Sequence, residues 1–142
     1  MNQNFEIVNK LRSSKLRPTR QRIRIAEFLF KKEKTFHFTV ENLDKVINKK
    51  GSEEKVALAT IYNTIHSFKK AGHLKEILLR EGRSYFDTNT TSHHHFYDEA
   101  NNELTDIEVN NIELKKFPTP PKGKSIKDVN VIINIDNDNQ NH

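Results

Sequence analysis

At 142 residues, with 34% hydrophobic content and a formal net charge of +5, the chain has room for one domain or two small ones around a modest core. No apolar run is long enough to span a membrane, no secretory h-region opens the chain and no cysteine is present, which excludes a transmembrane helix, disulfides and thiolate chemistry and points to the cytoplasm. Residues 1–88 hold 19 Lys+Arg against 10 Asp+Glu, whereas residues 89–142 hold 5 against 9, so the front half suits a polyanion.

Residues 3–12 are expected to form a short amphipathic helix with Phe5, Ile7, Val8 and Leu11 inward. Pro18 marks a boundary, and Thr19 is a fair N-cap for a second helix running to about Phe30, with Ile23, Ala26, Leu29 and Phe30 inward. Arg17, Arg20, Arg22 and Arg24 crowd its start against the helix dipole, which an anionic partner explains better than stability does. Lys31 to Phe38 reads as a connection holding His37. Thr39 caps a third helix from Val40 to about Lys50, whose inward residues are Val40, Leu43, Val46 and Ile47.

The loop Ser52 to Lys55 leads into Ala57–Gly72, an amphipathic helix with Leu58, Ile61, Ile65 and Phe68 in its apolar stripe. Lys69 and Lys70 occupy its last turn and Gly72 follows as a left-handed cap. Its other face carries Ala59, Thr60, Tyr62, Asn63 and Ser67, small or hydrogen-bonding and without a carboxylate, so it can lie in a DNA major groove. After Gly72 the period changes to that of strands: His73 to Leu79, a turn at Glu81-Gly82, and Ser84 to Asp87, with Arg80 and Arg83 beside the tip. Three helices and a hairpin make residues 1–88 a winged helix-turn-helix.

Thr88 to Ser92 is polar, and residues 89–92 are assigned as a hinge. His93 to Tyr97 and Glu103 to Val109 follow as strands around an E-A-N-N turn, Phe117 to Gly123 is broken by prolines, and Val129 to Ile135 is a strong strand candidate. Residues 93–135 form the rear, ligand-sensing and dimerisation domain, and 136–142 a disordered tail. So few strands cannot bury enough surface alone, and Val129 to Ile135 would leave an open edge; a homodimer meets both needs and suits a double-stranded DNA operator with two half-sites.

The run His93-His94-His95 is the main chemical signal. In a strand His93 and His95 share one face and His94 takes the other. Two imidazoles so placed can share a metal, with His37 and Asp87 as further ligands if the hinge folds the rear domain back. Nitrogen and oxygen donors suit Zn²⁺, Mn²⁺ or Fe²⁺; haem ligated by the histidines is the other candidate, and a surface histidine run without a ligand is the bland alternative. H-E-x-x-H, G-x-S-x-G and Gly-rich phosphate loops are absent, so an enzyme is not expected.

With L-R-P-T-R-Q-R at Leu16 to Arg22, A-L-A-T-I-Y-N-T at Ala57 to Thr64, S-Y-F-D-T-N-T at Ser84 to Thr90 and H-H-H-F-Y at His93 to Tyr97, the chain resembles the ferric uptake regulator family, nearest its iron response regulator branch. The resemblance covers about residues 10 to 135 and implies an α+β fold: an N-terminal winged helix-turn-helix domain, a hinge and a small C-terminal α/β dimerisation domain. It places Arg17 in a minor groove and Tyr62 on DNA, so the candidate DNA-binding residues are Arg17, Thr19, Arg20, Arg22, Ala59, Thr60, Tyr62 and Asn63. Asn63 stands where relatives often have arginine, which alters the base preference at that contact.

For the metal, the resemblance implies His37, Asp87 and His95, with His93 a neighbouring candidate; His93, His94 and His95 map to the haem-sensing run of the iron response regulators. Tyr97 replaces a further histidine ligand of many members, the gap after Asp87 is one residue longer, Phe96 replaces the acidic residue of a second site, and the paired C-x-x-C zinc motifs are missing. One metal site per chain is therefore carried over. The expected function is a dimeric, sequence-specific transcriptional regulator, mainly a repressor, of iron or haem homeostasis. The alternatives are a zinc, manganese or peroxide sensor of the same fold, and a metal- or haem-binding protein without operator binding.

Overall fold

The computed structural model describes residues 5–52 and 54–138. The chain divides into two compact units, Met1–Thr90 and Thr91–His142. No helix among the described residues is long and apolar enough to cross a membrane.

The first unit begins with helix α1, Phe5–Ser13, which buries Ile7 and Leu11. These two are four apart and share one face. Phe5, expected inward, is 65% exposed because it lies two positions from Ile7, on the opposite side of the helix. Helix α2, Arg20–Phe30, starts at Thr19, whose hydroxyl oxygen accepts from the Arg22 N–H at 3.3 Å. It buries Ile25, Ala26 and Leu29, with Ile23 and Phe30 half-buried against the same core.

The expected connection at Lys31 to Phe38 ends in a short strand β1, His37–Phe38. Helix α3, Val40–Ile47, is capped by Thr39, which accepts from the Asn42 N–H at 3.0 Å. It stops at Ile47 rather than near Lys50. Asn48 takes the C-cap, its backbone N–H on the Asp44 carbonyl, and its side chain turns to the following loop. Val46 is exposed, not inward, because it falls to one side of the stripe that Val40, Leu43 and Ile47 make on this helix.

Helix α4, Leu58–Lys70, buries Ile61, Thr64, Ile65 and Phe68. Phe68 packs on Phe30 with ring centroids 5.5 Å apart. Burial of each such large apolar side chain is worth about 1.5–3 kcal/mol, so Ile61, Ile65 and Phe68 hold the helix in place. Leu58, expected in the stripe, is 46% exposed, since the first turn projects beyond the core. The helix ends in a Schellman cap: the His73 N–H donates to the Phe68 carbonyl at 2.9 Å and that of Gly72 to Lys69 at 3.0 Å. Gly72 has φ +88°, open only to glycine without strain. Strands β2, Lys75–Leu78, and β3, Ser84–Asp87, form the wing around a 3₁₀ turn at Arg80–Gly82. All three strands make one antiparallel sheet in the order β1-β3-β2.

The second unit is a sheet of β4, His94–Asp98, β5, Glu103–Ile107, and β6, Ile132–Ile135, in the order β5-β4-β6. β4 and β5 form an antiparallel hairpin whose turn is fastened by Asp98, which accepts from both the backbone and the side chain of Asn101. β6 runs parallel to β4, so the chain must cross over between β5 and β6. That crossover holds a 3₁₀ turn at Val109–Asn111 and then Pro118, Pro120 and Pro121, which keep it from forming a helix. The strands are shorter than expected: β5 ends at Ile107 and β6 begins at Ile132 rather than Val129, which is exposed. Among the described residues of this small unit, Tyr97 and Ile107 are the buried apolar ones. Asp136, Asn137 and Asp138 are exposed and without regular structure, while the rest of the expected tail, 139–142, lies outside the described residues. The fold class is α+β, with a winged helix-turn-helix unit followed by a small sheet unit.

Candidate functional site

The winged unit presents α4 with Ala59, Tyr62 and Asn63 exposed and Thr60 half-buried. This face exists because Ile61, Ile65 and Phe68 claim the opposite side of the helix. The Tyr62 hydroxyl donates to Glu41 Oε1 on α3 at 2.8 Å. That bond, more than burial or the bare charge of Glu41, raises the Tyr62 pKa above its ordinary value.

The arginines at the start of α2 divide into two kinds. Arg17 and Arg20 are exposed, and Arg20 is 3.7 Å from Glu54 in a solvated pair that contributes little. Arg22 Nη1 donates to the Arg17 carbonyl at 3.1 Å, which folds the segment before the helix back over its first turn. Arg24 is turned to the protein: Nη2 donates to the Ile47 carbonyl at 2.7 Å and Nη1 to that of Glu54. It clamps the end of α3 and the loop beyond. Thr19 is committed to its cap.

In the same unit His37 and Asp87 are register partners across β1 and β3, and His37 Nε2 lies 3.2 Å from Asp87 Oδ2. Asp87 is buried, with its other oxygen accepting from the Asn89 N–H at 2.8 Å. A carboxylate so deeply placed has to be hydrogen-bonded or coordinated.

The second unit gathers its own donors. His93 Nε2 and His95 Nε2 lie 3.4 and 3.3 Å from the same oxygen, Asp106 Oδ1. His93 precedes β4, yet its ring stays on the His95 side, the centroids 4.5 Å apart. His93 Nδ1 is 2.7 Å from the Thr91 carbonyl; donation to it fixes the tautomer that leaves a lone pair on Nε2. His94 faces away, and its Nδ1 accepts from the Val131 N–H at 3.0 Å, tying β4 to the segment before β6.

These spacings fit a metal. In a tetrahedral site with bonds of about 2.0–2.1 Å, neighbouring ligand atoms stand about 3.3 Å apart. The three donors of the second unit lie within 4.8 Å of one another. Asp106 was not found by the sequence reading. Its signal is register: the E-A-N-N turn expected between the two strands already pairs His95 with Asp106 across the hairpin.

The model of the ferric uptake regulator family matches residues 13–134. A peroxide-responsive repressor, PerR, of Staphylococcus epidermidis is 30% identical over 102 residues, or 72% of this chain; the chain spans 65% of that relative's length. Among solved structures, the ferric uptake regulator of Pseudomonas aeruginosa with manganese superposes at TM-score 0.67 and 22% identity, over 91% of this chain and 96% of that one. That of Francisella tularensis with iron gives 0.69 and 21%, over 86% and 92%. At those identities the structures speak to the fold. The family match covers most of the sequence, and the chain belongs to the ferric uptake regulator family, a family of DNA-binding transcriptional regulators rather than enzymes.

Proposed function

We propose that the protein represses transcription by binding a double-stranded operator in response to a divalent metal ion. The observation that carries this is the convergence of His93 Nε2 and His95 Nε2 on one oxygen of Asp106, at the spacing a coordinated ion requires. Such a donor set suits Zn²⁺, Mn²⁺ or Fe²⁺. His37 and Asp87 are the donors we assign to the first unit. DNA contact is assigned to Arg17, Arg20 and Arg22, with Thr19 fixing the helix start, and to Ala59, Thr60, Tyr62 and Asn63 on α4. Bound metal supplies fixed positive charge and a rigid tie among its ligands; the residues named here hold it and face the DNA.

The working form is a homodimer acting in the cytoplasm. Its support is β6, which pairs with β4 on one side, while Ile133 and Ile135 are exposed on it. Iron is the signal that the resemblance to the iron response regulators favours, as the ion or in haem. The engagement of buried His94 by Val131 favours the ion. Similarity to a peroxide-responsive repressor supports a second reading, in which peroxide is the signal.

The test uses full-length protein purified without a histidine tag and stripped with a chelator. Zn²⁺, Mn²⁺, Fe²⁺, haem and peroxide are added separately while binding to a selected operator is followed. An ion that shifts operator affinity supports the proposal. Operator affinity indifferent to every ion overturns it.

A further inference from the structure

The Tyr62–Glu41 hydrogen bond determines which chemistry Tyr62 can offer to a base. A phenol has one O–H donor, and here that donor is committed to Glu41 Oε1 at 2.8 Å. An ionised carboxylate is an acceptor only, so the direction of this bond is fixed. A phenol with an ordinary pKa of about 10 is already protonated at neutral pH, and the bond raises the Tyr62 pKa further. What remains for a partner is the acceptor side of the hydroxyl oxygen. In the major groove the hydrogen-bond donors are the amino groups of adenine (N6) and cytosine (N4); guanine and thymine present acceptors there.

We infer that Glu41 is a positioning residue for base recognition: by holding the Tyr62 proton it makes Tyr62 an acceptor that selects adenine or cytosine over guanine or thymine at one operator position. This rests on the DNA-binding role of α4 proposed above. Glu41 sits in the first turn of α3, not on α4, which is why the face of α4 alone shows no carboxylate. Its negative charge near a phosphate surface opposes DNA binding in general, and a gain in discrimination offsets that cost. Without Glu41 the hydroxyl rotates freely, donates as readily as it accepts, and the preference is lost.

The experiment selects operators for wild type, Glu41→Ala, Tyr62→Phe and the double variant, then measures affinity for all four bases at each position. Tyr62→Phe identifies the position Tyr62 reads. There the wild-type ratio of adenine or cytosine over guanine or thymine should fall about threefold to tenfold in Glu41→Ala, the value of one hydrogen bond. In the Tyr62→Phe background, Glu41→Ala should leave that ratio unchanged. Relief of phosphate repulsion raises affinity for every sequence alike and cancels in the ratio. Both residues are exposed at the surface, so the variants keep their fold, checked by their thermal midpoints. An unaltered ratio in Glu41→Ala, or an equal change in both backgrounds, overturns the inference while leaving the DNA-binding role intact. Failure of the wild type to bind any duplex overturns both.

Discussion

His95 and Asp106 are paired across β4 and β5, and the pairing brings His95 Nε2 to 3.3 Å from Asp106 Oδ1. The hairpin register thus turns a surface carboxylate into a potential ligand. Asp106→Asn keeps the shape and removes the charge. It should weaken metal binding at least about tenfold, the lower end of what loss of a supporting group in a metal site costs. His94→Ala removes the acceptor for the Val131 N–H and should cost about 1–3 kcal/mol of stability while leaving metal affinity little changed. Competition against a chromophoric chelator and urea unfolding separate the two. Equal metal affinity in wild type and Asp106→Asn would remove Asp106 from the ligand set.

Asn48 replaces a strand partner for Val56. Its Nδ2 donates to the Val56 carbonyl at 2.8 Å and its Oδ1 accepts from the Val56 N–H at 2.7 Å. This two-point bond pins the loop that enters α4, and Val56 is buried beneath it. Asn48→Ala leaves both half-buried backbone groups without that partner and should cost about 1–3 kcal/mol. Asn48→Asp keeps the acceptor but sets a carboxylate oxygen against the Val56 carbonyl and against Asp44 Oδ1, to which Nδ2 donates at 2.7 Å, and should cost at least as much as Asn48→Ala. Urea midpoints in that order support the clamp; indistinguishable midpoints refute it.

The helices of the first unit were legible because each carries its signal locally. Thr19 and Thr39 are caps, Gly72 is a left-handed stop, and Ile61, Ile65 and Phe68 repeat at helical spacing. Errors lie where the neighbour decides. Leu58 and Val46 have the apolar type and the spacing of core residues, yet stand 46% and 43% exposed. The short strand β1 is stabilised by β3, which lies about fifty residues further on, so nothing within Lys31 to Phe38 announces it. The histidines of the candidate site were visible as a run. Asp106 was not, because register rather than composition brings it to them. Glu41 escaped for the same reason, coming to Tyr62 from another helix.

His73 should make the stability of the winged unit depend on pH. Burial, and then the charge of Lys10, hold its imidazole pKa below the ordinary value. The ring lies edge-on to Phe30 and Phe68 and its Nε2 is 2.8 Å from the Ser14 hydroxyl. With the folded pKa depressed, the unfolded chain takes up the proton first as pH falls. The contribution is therefore whole above the unfolded value of about 6.5 and is lost as pH falls from there through the folded value. The thermal midpoint should fall as pH drops below about 7, a window that opens above the range of ordinary carboxylates. His73→Gln should flatten that fall. Parallel curves for the two proteins would show that His73 is not its source.

Arg17 and Arg24 both belong to the basic cluster around α2, but their surroundings assign them different work. Arg24 donates to two carbonyls, of Ile47 and Glu54, so Arg24→Ala should lower stability by about 1–3 kcal/mol as those bonds disappear. Arg17 is exposed, so Arg17→Ala should stay within about 0.5 kcal/mol of wild type. On operator DNA the order reverses. Arg17→Ala should weaken binding and reduce the slope of log affinity against log salt by about one, the loss of a single phosphate or groove contact. Arg24→Ala should leave that slope near the wild-type value, because its guanidinium is already turned to the protein. Operator titrations at several salt concentrations, beside urea melts of both variants, give the four numbers needed. A slope unchanged in Arg17→Ala would move the DNA-facing surface away from the start of α2. A slope reduced in Arg24→Ala as much as in Arg17→Ala would mean that the Arg24 clamp opens on DNA and that the cluster acts as one basic surface.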